Sequence, residues 1–424
     1  MEVKKRLRLF LKGIHDSVLL RKISQKKRIK VVFLVVMEST WKTSQLYKLM
    51  KEDPYFDPVI LVCPYTLSSD EYMLDKLKSC YNFFNDNGYN VISALNEESN
   101  GWINLESLEP DILFFTNPHN LTLSKYYNLA YEKYLSCYIP YHYEVSKYDL
   151  NSQYNSEFFN FMWTIFTPHV YALNNYKKYS LKKSKNVKNL GYPLIECLKL
   201  QTGKSIWSED GRLKIIWAPH QTINNPDLPY STFLIYADFF RELALNLKNE
   251  VEICFKPHPL LKKNLELYSE WGCERTKEYF DFWKFSDFTL FNDGDYINLF
   301  QHSDLLIHDC ASFVGEYLHL NKPVIFMEGT KRYQELYNEF GQICLNYHYM
   351  ADSEKKLLEH LDKFLNNKLT SKIDEMFIKI DIEQLNSSAR IVSYLKDAIN
   401  GEFKHEVRQF QKPYDNQQAE QISL

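Results

Sequence analysis

Short apolar runs, each followed by an amphipathic stretch, constrain this chain more than any other feature. Residues 31–36 are continuously apolar, as a strand buried on both sheet faces requires, and residues 39–50 then have the composition of a crossover helix. The pattern recurs: 59–62, 91–94, 111–115 and 136–139 read as strands, and 71–85 and 125–133 as helices. Such alternation builds right-handed strand–helix–strand units and a doubly wound parallel sheet. It breaks at 200–211, a polar segment rich in turn formers, and then restarts. Strands are expected at 213–218, 251–255, 305–307 and 324–326, with helices at 231–247, 296–301 and 313–318. The expected fold is α/β, with two Rossmann-like doubly wound domains, 31–200 and 212–400, facing a cleft. Closing helices are expected at 352–365 and 382–399, and 401–424, rich in Gln, Asn and charge, reads as a loose tail.

A chain of 424 residues exceeds one typical core, which agrees with two domains. A net charge of −3, with 25% charged and 45% hydrophobic residues, argues against wholesale disorder and against a nucleic-acid partner held by bulk positive charge. The eight cysteines are dispersed, without zinc spacing, and read as reduced intracellular core thiols. No apolar run reaches the roughly 20 residues that cross a bilayer, and no signal-peptide core is evident, so the expected location is the cytoplasm.

Residues 1–30 are biased differently. Eleven Lys and Arg stand against Glu2 and Asp16, while Val3, Leu7, Phe10, Leu11, Ile14 and Val18 recur at helical spacing. A basic amphipathic helix of this kind can lie on anionic lipid headgroups, its apolar stripe in the interface, giving peripheral attachment to the inner face of the membrane. The alternative is a helix packed on the protein's own surface with a solvated basic face.

The segment from Ser303-Asp304-Leu305-Leu306-Ile307-His308-Asp309 to Asn321-Lys322-Pro323-Val324-Ile325-Phe326 reads as strand, polar turn, helix, turn, strand. Its first turn suits a nucleotide phosphate, because ligands of open α/β sheets bind beyond the carboxyl ends of strands and a helix starting there offers N–H donors. Phe255-Lys256-Pro257-His258-Pro259 sets a cation and an imidazole after another apolar strand, where a second loop can face the same ligand. Together they indicate an enzyme acting on an activated phosphate.

These blocks resemble the signatures of the CDP-glycerol glycerophosphotransferases, the teichoic-acid polymerases and their capsule-synthesis relatives. Ala218-Pro219-His220 and Gly191-Tyr192-Pro193 add weaker similarity. The resemblance implies a GT-B architecture with donor binding mainly in the second domain. It further implies transfer of a polyol phosphate, glycerol or ribitol phosphate, from a CDP-activated donor to a hydroxyl of a growing polysaccharide or lipid-linked acceptor, releasing CMP. Two departures stand out. Cys310-Ala311-Ser312 replaces the family's Tyr-Ser-Ser, and Tyr138-Ile139-Pro140-Tyr141-His142-Tyr143 replaces its Trp-His-Gly turn. A GT-B glycosyltransferase using a nucleotide sugar, or a noncatalytic scaffold of the same fold, are the competing readings.

Candidate residues follow from the chemistry. His142 is the expected general base, since a neutral imidazole with an unperturbed pKa of about 6.5 accepts a proton near neutrality; its alternative is a loop histidine in an aromatic cluster. His258, stiffened by flanking prolines, is expected to donate to a donor phosphate, and Lys256, alternating with it, to share its side. Ser312 either bonds a pyrophosphate oxygen or caps the helix. Asp309 is expected to organise the turn, with His308 as a phosphate-facing neighbour. Glu316, one helical turn beyond Ser312, either reaches ribose hydroxyls or faces solvent, and His220 is a further cleft residue. Asp293-Gly294-Asp295 can hold a divalent ion but also makes a good turn before a helix; the turn is preferred, and no obligatory metal or cofactor is predicted beyond the CDP-linked donor substrate.

Overall fold

The computed structural model describes residues 2–96, 101–147, 149–200, 204–329 and 333–401; the expected tail from 402 onward lies outside the described residues. The first sheet is built from Ile29–Val35 (β1), Phe56–Val62 (β2), Val91–Ser93 (β3), Ile112–Phe115 (β4), Leu135–Tyr138 (β5), Thr164–Thr167 (β6) and Val187–Asn189 (β7). The second is built from Leu213–Ala218 (β8), Val251–Phe255 (β9), Thr289–Phe291 (β10), Leu305–His308 (β11), Val324–Met327 (β12) and Tyr349–Ala351 (β13). Their orders are β3-β2-β1-β4-β5-β6-β7 and β10-β9-β8-β11-β12-β13, and every pairing is parallel. Each sheet starts at its centre, winds to one edge and crosses back. The order therefore reverses between β1 and β4 and between β8 and β11, and those crevices are where doubly wound sheets hold ligands. This is the expected two-sheet GT-B fold.

The central strands are buried on both faces, which is why they read as unbroken apolar runs. One apolar cluster runs from Val31, Phe33 and Phe114 under the first sheet through Tyr143, Tyr192 and Phe340 to Ile216, Leu306 and Phe326 under the second. The two sheets are thus packed against each other through side chains.

The final helical region differs from expectation. It divides into Glu375–Gln384 and Ser387–Asn400, because Asn386 takes a left-handed φ of 59° that a continuous helix does not allow. Both helices lean on Pro193–Lys199, and the last also on Ser44–Glu52, so the chain closes against the first sheet's layer. Gly191 permits the approach: its φ is +86°, and a Cβ there would lie 2.8 Å from the Arg390 guanidinium and 3.0 Å from Glu383 O.

Residues Glu2–Ile23 form the expected N-terminal helix, docked along one side. The docked side carries apolar and polar groups: Leu9, Leu19, Leu20 and Ile23 pack on the core, Arg8 pairs with Glu132 at 2.7 Å and Glu157 at 2.8 Å, and Lys12, buried beside Asp16, donates to Tyr134 O at 2.9 Å. The apolar stripe faces outward, Val3, Leu7, Phe10, Leu11, Ile14 and Val18 being between 49% and 82% exposed. The helix is thus packed on the protein with Lys4, Arg6, Arg21 and Lys22 exposed, and it carries a second, outward apolar stripe. No described helix is long and apolar enough to cross a membrane.

Candidate functional site

The site grows from the β8–β11 crevice. Asp309, buried at the end of β11, accepts from His220 N at 2.5 Å, from Thr232 N at 2.5 Å and from Thr232 Oγ1 at 2.8 Å. One carboxylate thus ties the turn after β11 to the turn after β8 and to the start of helix Phe233–Asn246, the organising role read from the sequence. Burial nevertheless pushes its pKa up to about 6, against the pull of the three hydrogen bonds. The turn after β9 joins through His258 N, which donates to Pro219 O at 3.2 Å.

The rings of His220 and His258 lie 5.3 Å apart, both half-buried. His258 Nδ1 accepts from Leu260 N at 3.2 Å, so the neutral ring carries its proton on Nε2 and presents a donor. Desolvation drives both imidazoles down, His220 to about 3 and His258 to about 4, with His258 and Lys256 respectively adding repulsion. At neutral pH this is a pair of uncharged rings.

Three predicted neighbours lie elsewhere. Lys256 is buried beneath the pair and its ammonium is consumed by Asn292 Oδ1 at 3.0 Å and Gly294 O at 2.9 Å, because a buried cation requires acceptors. The Asp293-Gly294-Asp295 turn therefore serves Lys256 through a backbone carbonyl. His308 points into the core, where its ring lies 5.4 Å from Phe326 and 5.3 Å from His348; strand alternation puts it on the face opposite Asp309. It does not face a phosphate. Glu316 is fully buried and faces neither solvent nor the turn: it accepts from Tyr296 OH, which in turn accepts from Lys42 Nζ at 2.9 Å, and burial raises its pKa to about 7. Lys42 comes from the loop after β1, so this chain of groups bridges the sheets.

Ser312 is exposed on the same turn as Asp309, and its side chain makes no cap bond. The helix it opens, Phe313–Glu316, is a single turn continued by the 3-10 turn Tyr317–Leu320, so its dipole is weaker than a long crossover helix would supply.

Across from this cluster, His142 follows β5. Its Nδ1 accepts from Glu144 N at 3.0 Å, so its neutral form also carries the proton on Nε2, and burial lowers its pKa to about 4. Tyr141 packs on its ring at 4.8 Å and bonds His119 Nε2 at 3.1 Å. The loop reaches the donor side through contacts: Ser146 bridges Tyr337, Tyr337 lies 5.8 Å from the ring of Tyr230, and Tyr230 lies 5.1 Å from His220. The structure thus brings together His220, His258 and Asp309, with Ser312 on the adjoining turn, and links the His142 loop to them only through Ser146, Tyr337 and Tyr230.

Sequence reasoning missed His119, Lys42, Tyr230 and Thr232. For His119 a signal existed. Pro-His occurs four times in the chain, at 118–119, 168–169, 219–220 and 257–258, each within four residues of the end of a parallel strand. Among the described residues no three His, Cys, Asp or Glu side chains are grouped as a metal site would need.

Two parallel doubly wound sheets, with histidine-bearing turns at their carboxyl edges, define a protein of GT-B architecture. A family model described as CDP-Glycerol:Poly(glycerophosphate) glycerophosphotransferase matches residues 163–394, more than half of the chain. The chain belongs to that family. Teichoic acid ribitol-phosphate polymerase TarL of Staphylococcus aureus is 30% identical over 142 residues, which make up 30% of this chain and 23% of TarL, so the match spans under a quarter of that relative. Among solved structures, a variant of the wall teichoic acid polymerase TagF superposes with a TM-score of 0.54 at 13% identity, covering 96% of this chain and 98% of that one. TagF has also been solved after a CDPG soak. UDP-GlcNAc 2-epimerase from Neisseria meningitidis, bound to UDP-GlcNAc, gives 0.52 at 14% identity, covering 87% and 99%. At such identities the likeness is one of fold.

Proposed function

We propose that this chain transfers a polyol phosphate from a CDP-activated donor to a hydroxyl of a cell-surface polymer or its lipid-linked precursor, releasing CMP. The observation that carries the reading is the Asp309 carboxylate, which gathers the turns after β8 and β11 at the switch point of the sheet that lies wholly within the family match. The donor diphosphate sits over that junction. His258 donates from Nε2, His220 lies beside it, and Ser312 offers its hydroxyl from the adjoining turn. Neutral imidazoles bind the anion without requiring a fixed charge, and an arriving diphosphate stabilises their protonated forms.

In the transfer the acceptor oxygen bonds to the β-phosphorus while the bond from that phosphorus to the bridging oxygen breaks, and CMP departs with the electron pair. The acceptor proton passes to His142. The Glu144 N–H orients the ring through Nδ1 until the acceptor hydroxyl arrives and gives its proton to that lone pair. The protein joins the anionic inner surface of the membrane through Glu2–Ile23, whose outward apolar stripe is interleaved with exposed Lys4 and Arg6 and followed by exposed Arg21 and Lys22.

A donor screen tests the reading. CDP-glycerol, CDP-ribitol and UDP- or CDP-sugars are each incubated with acceptor, and the released nucleotide is identified. CMP release from a CDP-polyol is expected; turnover of nucleotide sugars alone, with UDP or CDP as product, rejects phosphotransfer.

A further inference from the structure

The histidine loop of the first sheet is held chiefly by the second. Asn338, in the segment between β12 and helix Glu339–Leu345, donates through Nδ2 to Glu144 O and to Ser146 O at 3.2 Å, while its own N–H reaches Val145 O at 2.9 Å. Its Oδ1 meanwhile accepts from Gly341 N at 2.9 Å and caps that helix. Lys147 N adds a bond to Leu336 O at 3.0 Å, and Ser146 pairs with Tyr337 as an isolated antiparallel bridge. The loop thus runs beside 336–338 like a short added strand.

Two glycines show how close the docking is. A Cβ on Gly341 would collide with Val145 O, and one on Gly315 would collide with the ring of Tyr143. Tyr143 is pinned further: its hydroxyl donates to His319 Nε2 at 2.9 Å, and His319 Nδ1 donates to Asp381 at 2.6 Å. The Glu144 N–H that holds His142 Nδ1 belongs to the peptide whose carbonyl, Tyr143 O, bonds His169 Nε2 at 2.9 Å, and Asn338 fixes the following peptide through Glu144 O, so the backbone of Glu144 is held on both sides. Glu144 itself sits at φ 52°, a strained conformation for a residue with a Cβ, which persists only where the surroundings over-determine it.

We propose that Asn338 is a positioning residue for His142, setting the ring across the interface so that the first-sheet histidine is in register only while the two sheets are docked. This rests on the reading of His142 given above. Asn338 touches no substrate; it acts by fixing the backbone of Glu144 on the side away from His142.

The test is a double-mutant cycle on the full chain, with CMP release from CDP-glycerol and CDP-ribitol as readout. Asn338→Asp keeps the Oδ1 cap on Gly341 but loses both donors, and Asn338→Ser retains a cap and one donor should the first variant fold poorly. A misplaced catalytic group predicts a fall in kcat on the order of 10- to 100-fold with donor KM nearly unchanged. In a His142→Gln background the same substitution is expected to cost nothing further. Full kcat in both Asn338 variants, or an equal loss with and without His142, overturns the positioning role. Wild-type turnover by His142→Gln alone instead overturns the reading of His142 on which it rests.

Discussion

At the scale of single residues, the account turns on two imidazoles held as donors and on a glycine that lets two surfaces meet. His258→Ala removes the Nε2 donor from a half-buried ring that packs mainly against His220, so turnover should fall about 100-fold while the thermal midpoint stays near that of the native protein. A steady-state assay paired with a melting curve checks both. Gly315→Ala forces a methyl group into the ring of Tyr143 and should cost about 1–3 kcal/mol, read as a lower midpoint in urea. Site chemistry was legible where residue type and strand position coincided: the Pro-His at 219–220 and 257–258 both arrive at the junction. Side-chain direction was not. His308 and Asp309 are neighbours in sequence, yet one enters the core and the other the crevice, and Lys256 is drawn down by Asn292 and Gly294.

Elements were legible where the apolar run was long. Leu213–Ala218 and Val251–Phe255 match their expected bounds, whereas Val187–Asn189, Thr289–Phe291 and Tyr349–Ala351 have three residues each, and Thr164–Thr167 has threonine at both ends. None of these four carries an apolar signal that separates it from a loop. The N-terminal helix shows a different limit: periodicity revealed an apolar stripe but not which way it faces, because another side, with Leu9, Leu19, Leu20, Ile23 and the ion pairs, makes the docking contacts. Replacing Leu7, Phe10 and Ile14 by glutamate touches exposed positions only, so folding should be preserved while sedimentation with anionic vesicles is lost. Unchanged sedimentation would remove this helix as the membrane contact.

For the whole molecule, the buried titratable groups define a pH range of stability. His142, His169, His220, His258 and His348 are neutral in the fold, with pKa values driven by desolvation to between about 3 and about 4. The unfolded chain binds those protons from about pH 6.5 downward, so their contribution is complete above that value and is lost as pH falls toward 3. Glu144 and Glu316 run the other way. Burial raises them to about 8 and about 7, so the folded state holds protons that the unfolded chain releases above about pH 4.3, and stability declines as pH rises toward 8. The thermal midpoint should therefore be highest near pH 6.5, and a midpoint rising steadily from pH 6.5 to 8 would contradict these assignments.

The two-sheet architecture was readable because alternation of runs and helices is a property of the whole chain, and the interface was not, because Asn338, Gly315 and Tyr143 acquire meaning only when the sheets meet. The most direct measurement is a crystal structure with CDP bound. The account predicts the diphosphate over the junction of the turns after β8, β9 and β11, within hydrogen-bond distance of His258 Nε2. CDP seated away from that junction, with His258 untouched, would contradict it.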